Sequence, residues 1–190
     1  RPDAGMDTFC GGFSLGGSWQ GWLNEVYEPI RDHPAMLVVL YGACAAPLIH
    51  HLEAVDTFTI ELAGPSSRGK STALGVAASA FGSPGAGGLV QHFNKTVVHA
   101  ERVTTFMCDC PLIIDETKQA RSMEVVQKLV YDVVSGAGRG RGKKTGGVER
   151  SRPIRTVLLF SGESSVLSKA KDHGLRARVL SYDHPPLDVS

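Results

Sequence analysis

The chain has 190 residues, 42% of them hydrophobic and 21% charged, with 20 lysines and arginines against 19 acids for a net charge of +1. That length supports one domain with its own core, and that composition excludes a disordered tail, a coiled coil and a globally basic nucleic-acid binder. Glycine, at 22 residues, exceeds the usual ~7% without a G-X-Y period, so the excess belongs to particular turns and ligand loops.

The four cysteines, Cys10, Cys44, Cys108 and Cys110, form neither a CxxC pair nor a zinc-ligand pattern, and a reducing cytoplasmic setting is the simpler expectation. The most apolar stretch, 35–49, contains Pro47 and is shorter than the ~20 residues of a membrane span, which predicts a buried helix and no membrane partner. Arg1-Pro2-Asp3-Ala4-Gly5 lacks an initiator Met and leads into no apolar signal, so the chain reads as a piece of a longer protein.

Residues 1–17 read as an irregular or strand-like lead-in. Trp19, Trp22, Leu23, Val26, Tyr27 and Ile30 then recur at intervals of three and four, which predicts a helix capped by Ser18 and stopping near Pro34. A second helix, over 35–52, is apolar nearly all round and therefore buried. At 58–63 the pattern becomes β-prone, and it runs into a Gly-rich loop at 64–71 and an Ala/Leu-rich helix over 72–81. After a loop at 82–88, residues 97–107 read as helical. Pro111-Leu112-Ile113-Ile114-Asp115-Glu116 is an apolar strand finishing in two acids, and 122–134 is a helix on Val125, Val126, Leu129, Val130, Val133 and Val134. An aperiodic, basic 135–155 separates it from a buried strand at 156–160 ending Ser161-Gly162-Glu163, and a last strand lies at 178–182.

Strands separated by helices imply an α/β fold of three layers with a central, mainly parallel sheet. The organisation expected is a lead-in with two N-terminal helices over 1–55 and one compact core over 56–190.

The chemistry centres on Gly64-x-x-x-x-Gly69-Lys70-Ser71, a complete phosphate-loop pattern between a strand and a helix. Glycines let the backbone wrap a polyphosphate with its N–H groups inward, and the helix N-terminus adds its positive dipole end. Gly64, Pro65, Ser66, Ser67, Arg68, Gly69, Lys70, Ser71 and Thr72 are accordingly the candidate nucleotide-binding residues. Lys70 would neutralise the β- and γ-phosphates, and Ser71 would offer a hydroxyl to Mg²⁺, which prefers hard oxygen ligands. Asp115, ending a strand beside the loop, is the candidate for the Mg²⁺ shell. Glu116 is the candidate general base for the attacking water.

Ser161, with Glu163 second, has two readings: a γ-phosphate sensor, or a cap for the helix that follows. Arg178 and Arg176 also have two, as surface residues or as a finger donated across a subunit boundary to the transferring phosphoryl group. The segment 138–147 carries Arg139, Arg141, Lys143 and Lys144 among glycines. It is either a solvated loop or a hairpin that tracks the phosphate backbone of single-stranded DNA without stacking on bases.

Together these residues resemble the DUF927 family, a domain of unknown function found in phage, plasmid and genomic-island proteins. The likeness rests on the phosphate loop with the trailing Ala78-Ser79-Ala80-Phe81-Gly82-Ser83-Pro84, and on Ala43 and Ala45-Ala46-Pro47-Leu48 before it. It continues through Thr96, Glu101, Ile114-Asp115-Glu116, the run from Ser135 to Arg141, and Phe160-Ser161-Gly162-Glu163. Members of that family are similar to the ATPase core of MCM-like AAA+ replicative helicases, which are ring-shaped motors. The resemblance implies ATP and Mg²⁺ as cofactors, DNA as partner, a hexameric ring in the full-length protein, and ATP-driven unwinding for a mobile element. It also implies that the basic segment is the hairpin before the sensor strand and that Arg178 is the finger. Ser161 departs from the Asn usual in AAA+ proteins, and His92-Phe93-Asn94-Lys95-Thr96 lacks the Trp that often precedes the family's Thr. The alternative function is a non-motor P-loop ATPase acting as a nucleotide-gated DNA-binding or assembly module.

Overall fold

The structure, a computed structural model, describes residues 7–52, 57–65, 67–85, 87–92, 103–116, 123–136, 154–169 and 173–187. Helix α1 (Asp7–Gly12) precedes α2, which runs Trp19–Trp22, widens into a π-helical turn over Leu23–Tyr27 and closes as Glu28–Ile30. Ser18 caps α2, its Oγ accepting the Gly21 N–H at 3.1 Å, which satisfies one of the donors that a helix start leaves open. Helix α3 (Pro34–Ala45) begins on a proline, where no N–H is needed, and tightens into a 3-10 helix over Ala46–His51. Pro47 explains the change, because it has no N–H to continue the α-helical ladder.

The strands are β1 (Thr59–Ala63), β2 (Val90–His92), β3 (Leu112–Asp115), β4 (Leu158–Gly162) and β5 (Val179–Tyr182). Helices α4 (Lys70–Ser79), α5 (Met123–Val134) and α6 (His173–Arg176) alternate with them, and a 3-10 helix, Val166–Lys169, follows β4. Every pairing is parallel and the order is β2-β3-β4-β1-β5. Thus β4, late in the sequence, is inserted between β1 and β3. Its register, Ala63↔Gly162 on one side and Ile114↔Phe160 on the other, brings the carboxyl ends of the three strands level.

Side chains alternate across this sheet, as the pleat requires. Ile60, Leu62, Ile113 and Leu159 share a core with Met36, Val39 and Leu40 of α3 and Leu74 and Ala77 of α4. Leu112, Ile114, Leu158, Phe160 and Val179 share another with Val126, Leu129, Val130 and Val133 of α5. Both faces are therefore covered, and the anticipated three-layer α/β architecture with a parallel sheet is the one observed. The segment Pro34–His51 is long and apolar enough to cross a membrane by composition, with mean hydropathy 1.4. Its Met36, Val39, Leu40 and Ala43 instead lie in the core against the sheet.

Two features differ from expectation. The lead-in, read as irregular or strand-like, contains α1, and the three-residue edge strand β2 was not anticipated. The helix expected over 97–107 is described only at 103–106, and the basic segment 138–147 lies outside the described residues. The presence of α1 follows from tertiary docking. Its terminal Gly12 carbonyl accepts the Ser83 N–H at 2.9 Å, and a Cβ on Gly82 would lie only 2.1 Å from that carbonyl oxygen. Glycine at 82 is thus required by the close approach of two backbones. Gly82→Ala is expected to displace α1 and to cost about 1–3 kcal/mol, as overpacking does; an unchanged urea midpoint would contradict that docking.

Candidate functional site

Strand β1 is buried along its whole length, so its chain must turn sharply on leaving the sheet. Gly64 makes that exit at φ +133, and its N–H donates to the Gly162 carbonyl at 3.1 Å, one step beyond the strand ladder. Ser67 at φ +61 and Gly69 at φ +81 then take left-handed conformations, the geometry of a nest that can turn backbone N–H groups toward an anion. Gly69 is the N-cap of α4, its carbonyl accepting the Ala73 N–H at 2.9 Å. The loop therefore ends on the positive end of a ten-residue helix, a second attraction for negative charge.

Lys70, the first residue of α4, folds back over the loop. Its Nζ donates to the Gly64 carbonyl at 2.8 Å and the Pro65 carbonyl at 2.5 Å. Pro65, Ser67, Arg68, Ser71 and Thr72 are exposed around it, and Ser66 lies outside the described residues. A cavity of about 170 Å³ opens here between Gly64, Arg68 and Lys70 on one side and Asp183, His184 and Pro185 on the other. The chain leaving β5 thus closes over the loop. Leu187 completes that cover, since a Cβ on Gly69 would meet its side chain at 2.9 Å.

The acidic pair sits at the same edge of the sheet. Asp115 ends β3 and is 6% exposed, and Ser161 of β4 is 2% exposed. By the alternation of each strand both fall on the α3/α4 face, and the Ser161 hydroxyl donates to Asp115 Oδ1. The chain turns at Glu116, whose φ of +57 carries a steric cost that a non-glycine residue rarely accepts. That turn directs the Glu116 N–H to both Asp115 Oδ1, at 3.0 Å, and Ser161 Oγ, at 3.1 Å. Ser161 is consequently not the cap of the 3-10 helix. Its hydrogen bonds go to the end of β3.

Other candidates lie apart. Glu163 is exposed just beyond β4. Arg178 precedes β5, and its carbonyl accepts the Thr59 N–H at 3.0 Å, which places it at the amino edge of the sheet. With Thr59–Ala63 between, it is roughly 16 Å from the phosphate-loop edge at about 3.3 Å per strand residue. Arg176, on α6, donates to the Leu167 carbonyl at 3.5 Å. The structure brings neither arginine to the loop of its own chain. Also at the amino edge, Arg155 forms a two-pronged pair with Asp109, at 2.9 and 3.1 Å. Hydrogen bonding from Arg155 holds the Asp109 carboxyl below its usual range, and burial pushes the Cys110 thiol up. Both groups serve the entrances of β3 and β4. Arg139, Arg141, Lys143 and Lys144 lie outside the described residues.

Among the described residues no group of three or more His, Cys, Asp or Glu side chains could hold a metal ion. Asp115, at the end of β3, and Ser71, in the first turn of α4, are the two hard-oxygen side chains that the sequence nominates for Mg²⁺. Two contributors escaped the sequence reading. The segment 183–187 carries no motif, and only the fold lays it on the loop. Glu61, fully buried in β1, did leave a signal: a charge in the middle of an otherwise apolar central strand.

The Ser161 hydrogen bonds make a structural prediction. Ser161→Ala removes a donor from a buried carboxylate and is expected to cost about 1–3 kcal/mol; a wild-type denaturation midpoint would mean that the bond to Asp115 does not form.

The profile of a domain of unknown function (DUF927) matches residues 7–153. No curated protein matches the chain. Among solved structures, the chain is similar to one described as "SCCmec type IV Cch - active helicase", with a TM-score of 0.72 and 22% sequence identity. The match covers 91% of this chain and 32% of that one, so the chain spans about a third of the length of that protein. The likeness is one of fold.

Proposed function

The chain belongs to the DUF927 family, and from that premise we propose that it is the ATPase core of a DNA helicase serving replication of a mobile genetic element. The observation that carries the reading is the convergence, at one carboxyl edge of a parallel sheet, of the loop bearing Lys70 with the Asp115–Ser161 pair. Ligands of open α/β sheets bind at that edge, outside the strand ends. The fold shared with a structure described as an active helicase supports the same reading. In it, residues 56–190 form the core and 1–55 the lead-in packed on it.

The residues take the following roles. The amides of Gly64–Lys70 and the α4 N-terminus cradle the β- and γ-phosphates of ATP, and Lys70 exchanges its carbonyl partners for phosphate oxygens. Ser71 and Asp115 would hold Mg²⁺, which would offset negative charge developing on the transferring phosphate. Glu116 polarises the attacking water, and Ser161, already bonded to Asp115, contacts the γ-phosphate side. Arg178 reaches the site of a neighbouring subunit in a homo-oligomeric, hexameric ring. Arg139, Arg141, Lys143 and Lys144 hold single-stranded DNA by its phosphates.

The test is ATP hydrolysis by the full-length protein with and without single-stranded DNA. Hydrolysis is expected to rise with DNA, to fall by about 10²-fold or more in Glu116→Gln, and to vanish with ATP binding in Lys70→Ala. Slow turnover indifferent to DNA would favour the gating module over the motor, and unaltered ATP binding by Lys70→Ala would remove the nucleotide reading altogether.

A further inference from the structure

Glu61 is a carboxylate with no exposed surface, at the centre of the strand that leads into the phosphate loop. Three neutral donors meet it. Its Oε1 accepts the Val166 N–H at 2.6 Å, and its Oε2 accepts the hydroxyls of Ser165, at 2.6 Å, and Ser181, at 2.7 Å. Burying an ionised group is costly unless hydrogen bonds replace its hydration. An apolar residue would fit the strand pattern better, so the acid is explained by what it holds.

The three contacts differ in what they add. Ser181 lies opposite Glu61 in the β1–β5 ladder, and that ladder would hold β5 without its help. The turn after β4 has no ladder. Ser165 and Val166 are joined to the sheet through Glu61, and the Val166 N–H opens the 3-10 helix Val166–Lys169. This segment links two candidate groups for hydrolysis: upstream it continues from Ser161 and Glu163, and downstream its Leu167 carbonyl receives the Arg176 guanidinium.

We propose that Glu61 is a positioning residue for ATP turnover, fixing the segment that joins the sensor end of β4 to the arginines before β5. The inference rests on the nucleotide reading above. It separates two properties of the site. The phosphate loop hangs on Gly64, Gly69 and α4, which Glu61 does not touch, so ATP affinity should survive its loss. Geometry needed only in the transition state should not survive, because a displacement of about 1 Å in a positioned group can cost 10²-fold in rate.

The experiment uses the full-length protein with single-stranded DNA, measuring equilibrium ATP binding, single-turnover hydrolysis and thermal midpoint for Glu61→Met and Glu61→Gln. The methionine leaves the Val166 N–H and two hydroxyls without their acceptor. Its turnover is expected to fall by about tenfold or more while ATP affinity stays at the wild-type value. The glutamine can accept from Val166 with its oxygen and donate to both hydroxyls with its nitrogen, so it should restore most of the rate. Should the methionine variant not fold, Ser165→Ala carries the test, with turnover reduced and affinity unchanged. Wild-type turnover in Glu61→Met, a parallel loss of affinity and rate, or a glutamine variant as slow as the methionine one would overturn the proposal. A wild-type protein that does not bind ATP would overturn the underlying reading, and the wild-type arm alone reveals it.

Discussion

The hydrogen bond from Ser161 to Asp115 depends on a long-range choice, the insertion of β4 between β1 and β3. Had β3 paired directly with β1, Asp115 would still end a strand, but Ser161 would not stand beside it. With the observed order and register, the pleat sends both residues to the face that carries α4, and the phosphate loop opens at that face. The left-handed backbone at Glu116 completes the arrangement by aiming its N–H at both side chains. Local strain at such a point is tolerated because the two strands on either side over-determine it.

The same parallel sheet places a demand on everything around it. Its three inner strands are buried on both faces, so polar groups inside them call for partners within the protein. Asp115 finds Ser161 and a backbone amide, and Glu61 finds two serines and another amide. They occupy opposite faces. One carboxylate sits at the edge where a ligand can approach, whereas the other is sealed beneath the chain that leaves β4. Asp115 ends its strand whereas Glu61 sits in the middle of its own, and on the proposed reading that placement separates a group able to meet a cation from one that organises structure.

What could be read from sequence follows from how local the determinants are. The strand, Gly-rich loop and helix around Lys70 were legible because they are contiguous, and the capping of α2 by Ser18 is a contact across three residues. The acidic strand and α5 announced themselves through apolar pattern alone. Sheet order was not legible, since it depends on pairings among distant segments. The bonds at Glu61 span 104, 105 and 120 residues, which no periodicity records. Strand β2 has only three residues, too few to alternate visibly. Helix α1 is rich in glycine and owes its conformation to the contact with Ser83. The cap reading of Ser161 fell only when its hydroxyl was found on Asp115 and the Val166 N–H on Glu61.

The position of the arginines bears on how such a core would work. Arg178 and the phosphate loop sit at opposite edges of one rigid sheet, and β1, held by β4 and β5 on either side, lies between them. No rotamer change spans that distance. On the proposed reading, a single copy supplies a loop, a cation ligand and a base, while Arg178, as the cationic group stabilising the transferring phosphoryl, acts from a second copy. That requirement makes hydrolysis a property of the assembled protein, because an arginine supplied in this way is worth roughly 10³-fold or more in rate. It also gives the turn held by Glu61 its place in the argument. Ser161 stands at the edge that would read a chain's own nucleotide, and the tether at Ser165 and Val166 limits how far the turn leaving that strand can move.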